Sequence, residues 1–193
     1  MALTQIKAGG IANLAVDTAQ LADDSVEAAK LHDDAVTSAT LPTGGIVQVV
    51  TSHNSYYVTQ STGAMVLLES SSGTTWVPTI TPTSNSNKIL VIPAINFGGA
   101  GASADEARGS YEIWEDPGDS TYVRIYHGYE EISTYDYGAD GVWNSKIHSP
   151  IMLRNPTTTS AVNYQIKWKD HGDSAWYNGA DRASSFTMME VVA

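Results

Sequence analysis

From Tyr126 to Trp143 the chain reads YHGYEEISTYDYGADGVW, with five aromatic and four acidic residues and no Lys or Arg between Arg124 and Lys146. Aromatic faces stack on sugar rings, and carboxylates accept hydrogen bonds from sugar hydroxyls. That mixture makes Tyr126, Tyr129, Glu130, Glu131, Tyr135, Asp136, Tyr137, Asp140 and Trp143 the candidate recognition surface. The alternative is that these aromatics fill a seam between subunits or the core of a sandwich, because tyrosine is also enriched at protein–protein contacts.

Other chemistry finds little support. His32, His53, His127, His148 and His171 are scattered, and no pair has the H-x-x-x-H spacing of a zinc protease. There is no G-x-S-x-G nucleophile elbow, no G-x-G-x-x-G and no Walker pattern. Gly98, Gly99 and Gly101 in FGGAGASADE precede no helix-forming run, so the stretch reads as a loop rather than a phosphate cradle. The pairs Asp116 and Asp119, Asp136 and Asp140, and Asp170 and Asp173 could supply oxygens to calcium, but none fits an EF-hand. Turn formation explains them more simply, since Asp and Gly are turn residues. No metal site and no cofactor is assigned.

Whatever positions these residues is β-structure. The stretch AVNYQIKWKD places Val162, Tyr164, Ile166 and Trp168 on one face and Asn163, Gln165, Lys167 and Lys169 on the other, the mark of a half-buried strand. IVQVVT from Ile46, AMVLLES from Ala64, KILVIPAINF from Lys88, GSYEIWE from Gly109 and TYVRIYHGY from Thr121 also read as strands. So do VWNSKIHSPIMLR from Val142 and SSFTMMEVV from Ser184. Turn residues fill the gaps, as in TPTSNSN, EDPGDS and RNPTTTS. Eight or more short antiparallel strands in residues 46–193 predict an all-β, jelly-roll-like sandwich head.

Ahead of PTGG the pattern changes. Set in tens, the chain reads IANLAVDTAQ, LADDSVEAAK and LHDDAVTSAT, then LPTGG. Ile11, Val16, Leu21, Val26, Leu31, Val36 and Leu41 recur every five residues. Five residues turn a helix by about 140°, so no single face collects them. An odd step also alternates between the faces of a plain strand. The spacing suits a unit that turns within each repeat. Too few apolar residues are present for an independent core, so identical chains are expected to cover them. Residues 11–45 are read as a trimeric shaft; a disordered acidic linker and a single-chain β-helix are the alternatives. Residues 1–10, with Leu3 and Ile6, are read as an attachment segment.

Composition narrows the function. The 193 residues carry 21 Asp and Glu against 10 Lys and Arg, a net charge of −11. This balance offers no basic footprint for nucleic acid and no attraction to anionic membranes. No stretch approaches the length of an apolar membrane span. Cysteine is absent, which removes disulfides, thiolate metal sites and cysteine nucleophiles.

The order of a decad repeat, LPTGGIVQVV, ITPTSNSNKILV, HSPIMLRNPTTTSAVNYQIKW and SSFTMMEVV resembles tail-fibre and other virion fibre proteins of marine bacteriophages. The resemblance covers nearly the whole chain. It implies a homotrimeric fibre with a jelly-roll head like those of the complement and tumour-necrosis-factor type. The expected role is a structural protein at the virion surface, a short tail fibre whose head adsorbs to a host glycan or protein. Its partners would be its own copies and other phage proteins of the tail, baseplate or capsid. The first alternative is a capsid head fibre or decoration protein held by its N-terminus. A polysaccharide-degrading enzyme is a distant alternative, because fibres with that activity generally use larger domains. Long tail fibres usually carry a sizeable N-terminal domain. Here only MALTQIKA precedes the repeat, which leaves the attachment point open.

Overall fold

A computed structural model of the chain describes residues 40–60, 63–100, 106–135, 144–170, 174–177 and 183–193. Among these residues all helical or extended structure is β, arranged as two antiparallel sheets and a small hairpin. The attachment segment Leu3 and Ile6, and the shaft positions from Ile11 to Val36, lie outside the described residues. Leu41 lies half-buried just before the first strand. The ladder is entered at the diglycine. Gly44 donates to the Val192 carbonyl at 2.8 Å, and Val192 donates to Gly45 at 2.9 Å.

Fourteen strand segments trace an eight-strand path, because several are collinear pieces of one strand. The first path strand is β1 (Ile46–Asn54) with β2 (Val58–Gln60). The second is β3 (Val66–Leu67) with β6 (Thr79–Ile80), interrupted by the hairpin of β4 (Glu69–Ser71) and β5 (Thr74–Thr75). The third, fourth and fifth are β7 (Lys88–Ala100), β8 (Glu106–Asp116) and β9 (Val123–Tyr135). The sixth is β10 (Asn144–His148) with β11 (Met152–Arg154), and the seventh is β12 (Val162–Asp170). The eighth is β13 (Ser174–Tyr177) with β14 (Ser184–Val191). In path numbers, the seven-stranded sheet runs first–eighth–third–sixth and the five-stranded sheet runs second–seventh–fourth–fifth. That order is a jelly roll.

Breaks in the path have local causes. Continuing the β7–β10–β11 register sets Pro93 opposite Pro150, and neither offers an N–H, so the ladder is interrupted between β10 and β11. Gly98 and Gly99, expected in a loop, instead lie within β7. They face Ser145 and Asn144 on one side and Trp176 and Ala175 on the other.

Period-two alternation on β12 holds as expected: Val162, Tyr164, Ile166 and Trp168 are buried and the residues between them are not. They meet Phe97, Phe186, Ile89, Val91, Ile95 and Met188 from the other sheet. Tyr164 lies 5.2 Å from Phe186 and Trp168 lies 5.9 Å from Phe97, centroid to centroid. Burying each such side chain contributes about 1.5–3 kcal/mol.

Two buried carboxylates lock the frame. Glu115 of β8 accepts Arg154 Nε at 3.2 Å and Nη2 at 3.1 Å, and the Tyr164 hydroxyl at 3.1 Å, joining β11 to the opposite sheet. Burial, and then the Glu115 charge, push the Tyr164 hydroxyl well above its ordinary range, so it stays a donor. Glu190 of β14 accepts Asn87 Nδ2 at 2.7 Å, Gln48 Nε2 at 2.6 Å, and both the amide and hydroxyl of Thr83 at 2.8 Å. Burial alone would raise the Glu190 pKa, but these hydrogen bonds outweigh it and lower the value. Glu190 thus fixes the TPTSNSN turn that leads into β7.

Candidate functional site

The outward face of the seven-stranded sheet is the first candidate. Register lines up Val49, Met189, Leu90 and Leu153 straight across β1, β14, β7 and β11. The next row is Thr51, Thr187 and Ile92, with Ile151 continuing it beyond the edge of β11. Ile147 projects from β10 opposite Asn96. Ile151 is 70% exposed, Ile147 68%, Leu153 57% and Val49 54%. Among the described side chains this face carries no carboxylate. Its charged or titratable residues are Lys88 at one end and His53 toward the other. An apolar face of this kind, without a described carboxylate on a chain of net charge −11, stands out from the rest of the molecule.

The outward face of the five-stranded sheet has the opposite character. Glu112 and Trp114 project from β8, Arg124 and His127 from β9, and Gln165, Lys167 and Lys169 from β12. A β-bulge brings the two β9 residues together. Ile113 faces Tyr126 and Trp114 faces Arg124, so Ile125 is the extra residue. Without it, Arg124 and His127, three apart, would point to opposite faces.

Glu112 organises this cluster. Its Oε1 accepts Arg124 Nη1 at 2.7 Å and lies 3.9 Å from His127 Nε2, while Oε2 accepts Trp114 Nε1 at 2.9 Å. Lys167 Nζ sits 3.8 Å from the centroid of the Trp114 ring, a cation–π contact. Burial raises the Glu112 pKa, but the bonds from Arg124 and Trp114 and the nearby positive charges outweigh it, so the carboxyl is held below its ordinary range.

Asp116, a calcium candidate by sequence, is consumed by its turn. Its Oδ1 accepts the backbone N–H groups of Gly118 and Ser120 at 2.9 Å and Asp119 at 3.1 Å, and Oδ2 accepts Asn163 Nδ2 at 3.3 Å. Gly118 has φ +93°, and a Cβ there would come within 2.6 Å of Ser160 Cβ, so the turn requires glycine. Asp170 Oδ1 likewise accepts the Gly63 amide at 2.7 Å. Among the described residues there is no group of three or more His, Asp or Glu that could hold a metal.

Of the residues expected to recognise a ligand, Tyr126 is half-buried. It packs on the core with its ring 5.4 Å from Tyr111, which fits the alternative reading of an aromatic filling the sandwich. Tyr129, Glu130, Glu131 and Tyr135 belong to β9. Asp136, Tyr137, Asp140 and Trp143 lie outside the described residues. The sequence reading passed over both outward faces. One signal was present: KILVI is apolar at consecutive positions, and a run apolar on both parities marks a strand covered on both sides. The cationic cluster left no such signal, because it depends on the bulge at Ile125.

No family model matches the chain, and no curated protein matches it. Solved structures to which the chain is similar include infectious bursal disease virus, Gx strain, at 13% identity and a TM-score of 0.40, covering 75% of this chain and 32% of that one. The VP2 subviral particle of the same virus gives 14% identity and a TM-score of 0.38, with 75% and 32% covered. Eiger TNF from S. frugiperda gives 8% identity and a TM-score of 0.37, with 75% and 93% covered. The chain therefore spans about a third of the infectious bursal disease virus chains that it matches. Likeness at this level concerns the all-β fold and carries no inference about function.

Proposed function

We propose that the chain is a structural fibre protein of a bacteriophage particle, a homotrimer whose jelly-roll head adsorbs to the host surface. The decad repeat is the shaft and residues 1–10 the virion anchor. The head is a binding module rather than an enzyme, placed at the virion surface by a tail, baseplate or capsid partner. The observation that supports this reading is the outward face of the seven-stranded sheet. Val49, Met189, Leu90 and Leu153 form an uncharged apolar row that a soluble monomer would leave in water. Packing this face against neighbouring copies removes it from water and continues the association that the shaft repeat already calls for.

Light scattering of the full chain at micromolar concentration tests the assembly, with three times the 20.6 kDa chain mass expected. A monomer mass overturns it. Antibody labelling of intact particles, viewed by electron microscopy, then locates the protein. Label on the tail supports a tail fibre, and label spread over the capsid supports a head fibre.

A further inference from the structure

We infer that the outward face of the five-stranded sheet binds an acidic polysaccharide, one carrying carboxylate or sulfate groups, through Arg124, Lys167 and His127 around Trp114. The inference deepens the adsorption part of the proposed function and moves the recognition surface from the aromatic and acidic residues of the Tyr126–Trp143 stretch to a cationic cluster that takes only His127 from it. Charge is the first argument. The chain has 10 basic residues against 21 acidic ones, yet here Arg124, Lys167 and His127 gather, among the described side chains, about the carboxylate of Glu112. Among the described side chains, one carboxylate there meets two permanent cations, Arg124 and Lys167, so on a chain of net charge −11 the patch favours anions.

Geometry is the second argument. Glu112 takes Arg124 through Nη1, and a guanidinium carries five N–H donors in a fixed fork. The Arg124 side chain is 49% exposed and that of His127 39%, so both can be reached from solvent. Trp114 is fixed by its indole bond to Glu112, and Lys167 rests on its ring. Trp114 thus holds the Lys167 ammonium near Arg124, and the cations rather than the indole face meet the anionic group. The same contacts argue against nucleic acid, which needs a longer basic track to neutralise successive phosphates.

The test uses the full chain in affinity electrophoresis through gels containing dextran sulfate, polygalacturonate or neutral dextran. Retardation is expected in both acidic polymers, not in neutral dextran, and it should fade between low and high salt. The double variant Arg124→Gln, Lys167→Gln should bind at least tenfold more weakly. Lys146→Gln, which removes an exposed cation from β10, should bind like the parent. Melting temperature and oligomeric mass are measured on every variant. Should the double variant melt early, Lys167→Gln alone carries the test, since its Nζ rests on an indole ring.

No retardation by either acidic polymer overturns the inference. So does equal retardation by neutral dextran, or equal loss in the Lys146 variant. Because trimer mass is read separately, a head that binds no acidic polymer but remains trimeric removes this inference and leaves the fibre reading standing. A monomer that still binds does the reverse.

Discussion

On the seven-stranded sheet the outward positions of β1, β14, β7 and β11 present Val49, Met189, Leu90 and Leu153. On the five-stranded sheet the outward positions of β8, β9 and β12 present Glu112, Trp114, Arg124, His127 and Lys167. Both faces come from the same two-residue period, and both cover the same core. The first gains most by leaving water, because apolar area returns free energy in proportion to what is buried. The second holds ionic and cation–π contacts that Arg124 and Lys167 make from partly exposed positions, where such contacts contribute little to folding. A cluster with so small a part in stability is better understood through what it can meet from outside.

The comparison is broken most directly on the apolar face. Val49→Asp with Leu153→Asp places two carboxylates where subunits are proposed to meet. Trimer dissociation should strengthen by a hundredfold or more, roughly 2.7 kcal/mol, with sedimentation showing monomers that melt cooperatively. Retention of the trimer would mean that this face is not the interface.

The link between the two sheets comes next. Arg154→Met leaves Glu115 buried with the Tyr164 hydroxyl and without its cation, which should cost about 3 kcal/mol. The urea midpoint should fall with an unchanged slope. Neither outward face is altered directly, so acidic-polymer binding at permissive temperature should persist.

Glu190→Gln should cost somewhat less, about 1–3 kcal/mol, because the donors from Thr83 and Asn87 keep a weaker acceptor while Gln48 Nε2 meets an amide nitrogen in place of Oε2. Acid sharpens this case. The folded-state pKa of Glu190 is lowered, so its contribution is complete above the ordinary carboxylate range and is lost as pH falls through the folded value. Thermal melts of the parent should therefore decline in acid more steeply than those of Glu190→Gln. Parallel curves would show that the Glu190 charge does not matter.

The smallest effect belongs to the charged face. Lys167→Gln should change stability by no more than about 1 kcal/mol, read as a shift in denaturation midpoint. A larger loss would make the cluster a structural element and weaken its reading as a recognition surface.

Much of the frame was legible from local pattern. Val162, Tyr164, Ile166 and Trp168 alternate cleanly, and all four are buried. KILVIPAINF and GSYEIWE fall within strands, and SSFTMMEVV does so but for its last residue. The short pieces β2, β5, β6 and β13 were missed, because two to four residues contain too little of a period to read. The candidate site was hardly legible. Tyr126 was chosen for its type, whereas its direction is set by a bulge at Ile125. A one-residue insertion reverses every side chain beyond it, and residue types alone do not reveal where it falls. The TPTSNSN turn was recognised as punctuation, but the carboxylate holding it lies about a hundred residues later, at Glu190.

The β4–β5 hairpin offers a practical opening. It leaves the second path strand after Leu67 and returns at Thr79, while Leu68 donates to Ile166 at 2.8 Å and Tyr164 donates to Pro78 at 2.9 Å, so β12 grips both of its roots. Trp76 closes the neck by donating to Leu68 at 2.8 Å, and both side chains are buried. Beyond that neck, Ser71 and Ser72 are exposed. Lengthening a loop costs little once its ends are fixed, roughly 0.6 kcal/mol for each doubling. Foreign peptide spliced between Ser71 and Ser72 would therefore be carried by a scaffold that does not register its presence, turning the head into a display platform with both sheet faces left intact.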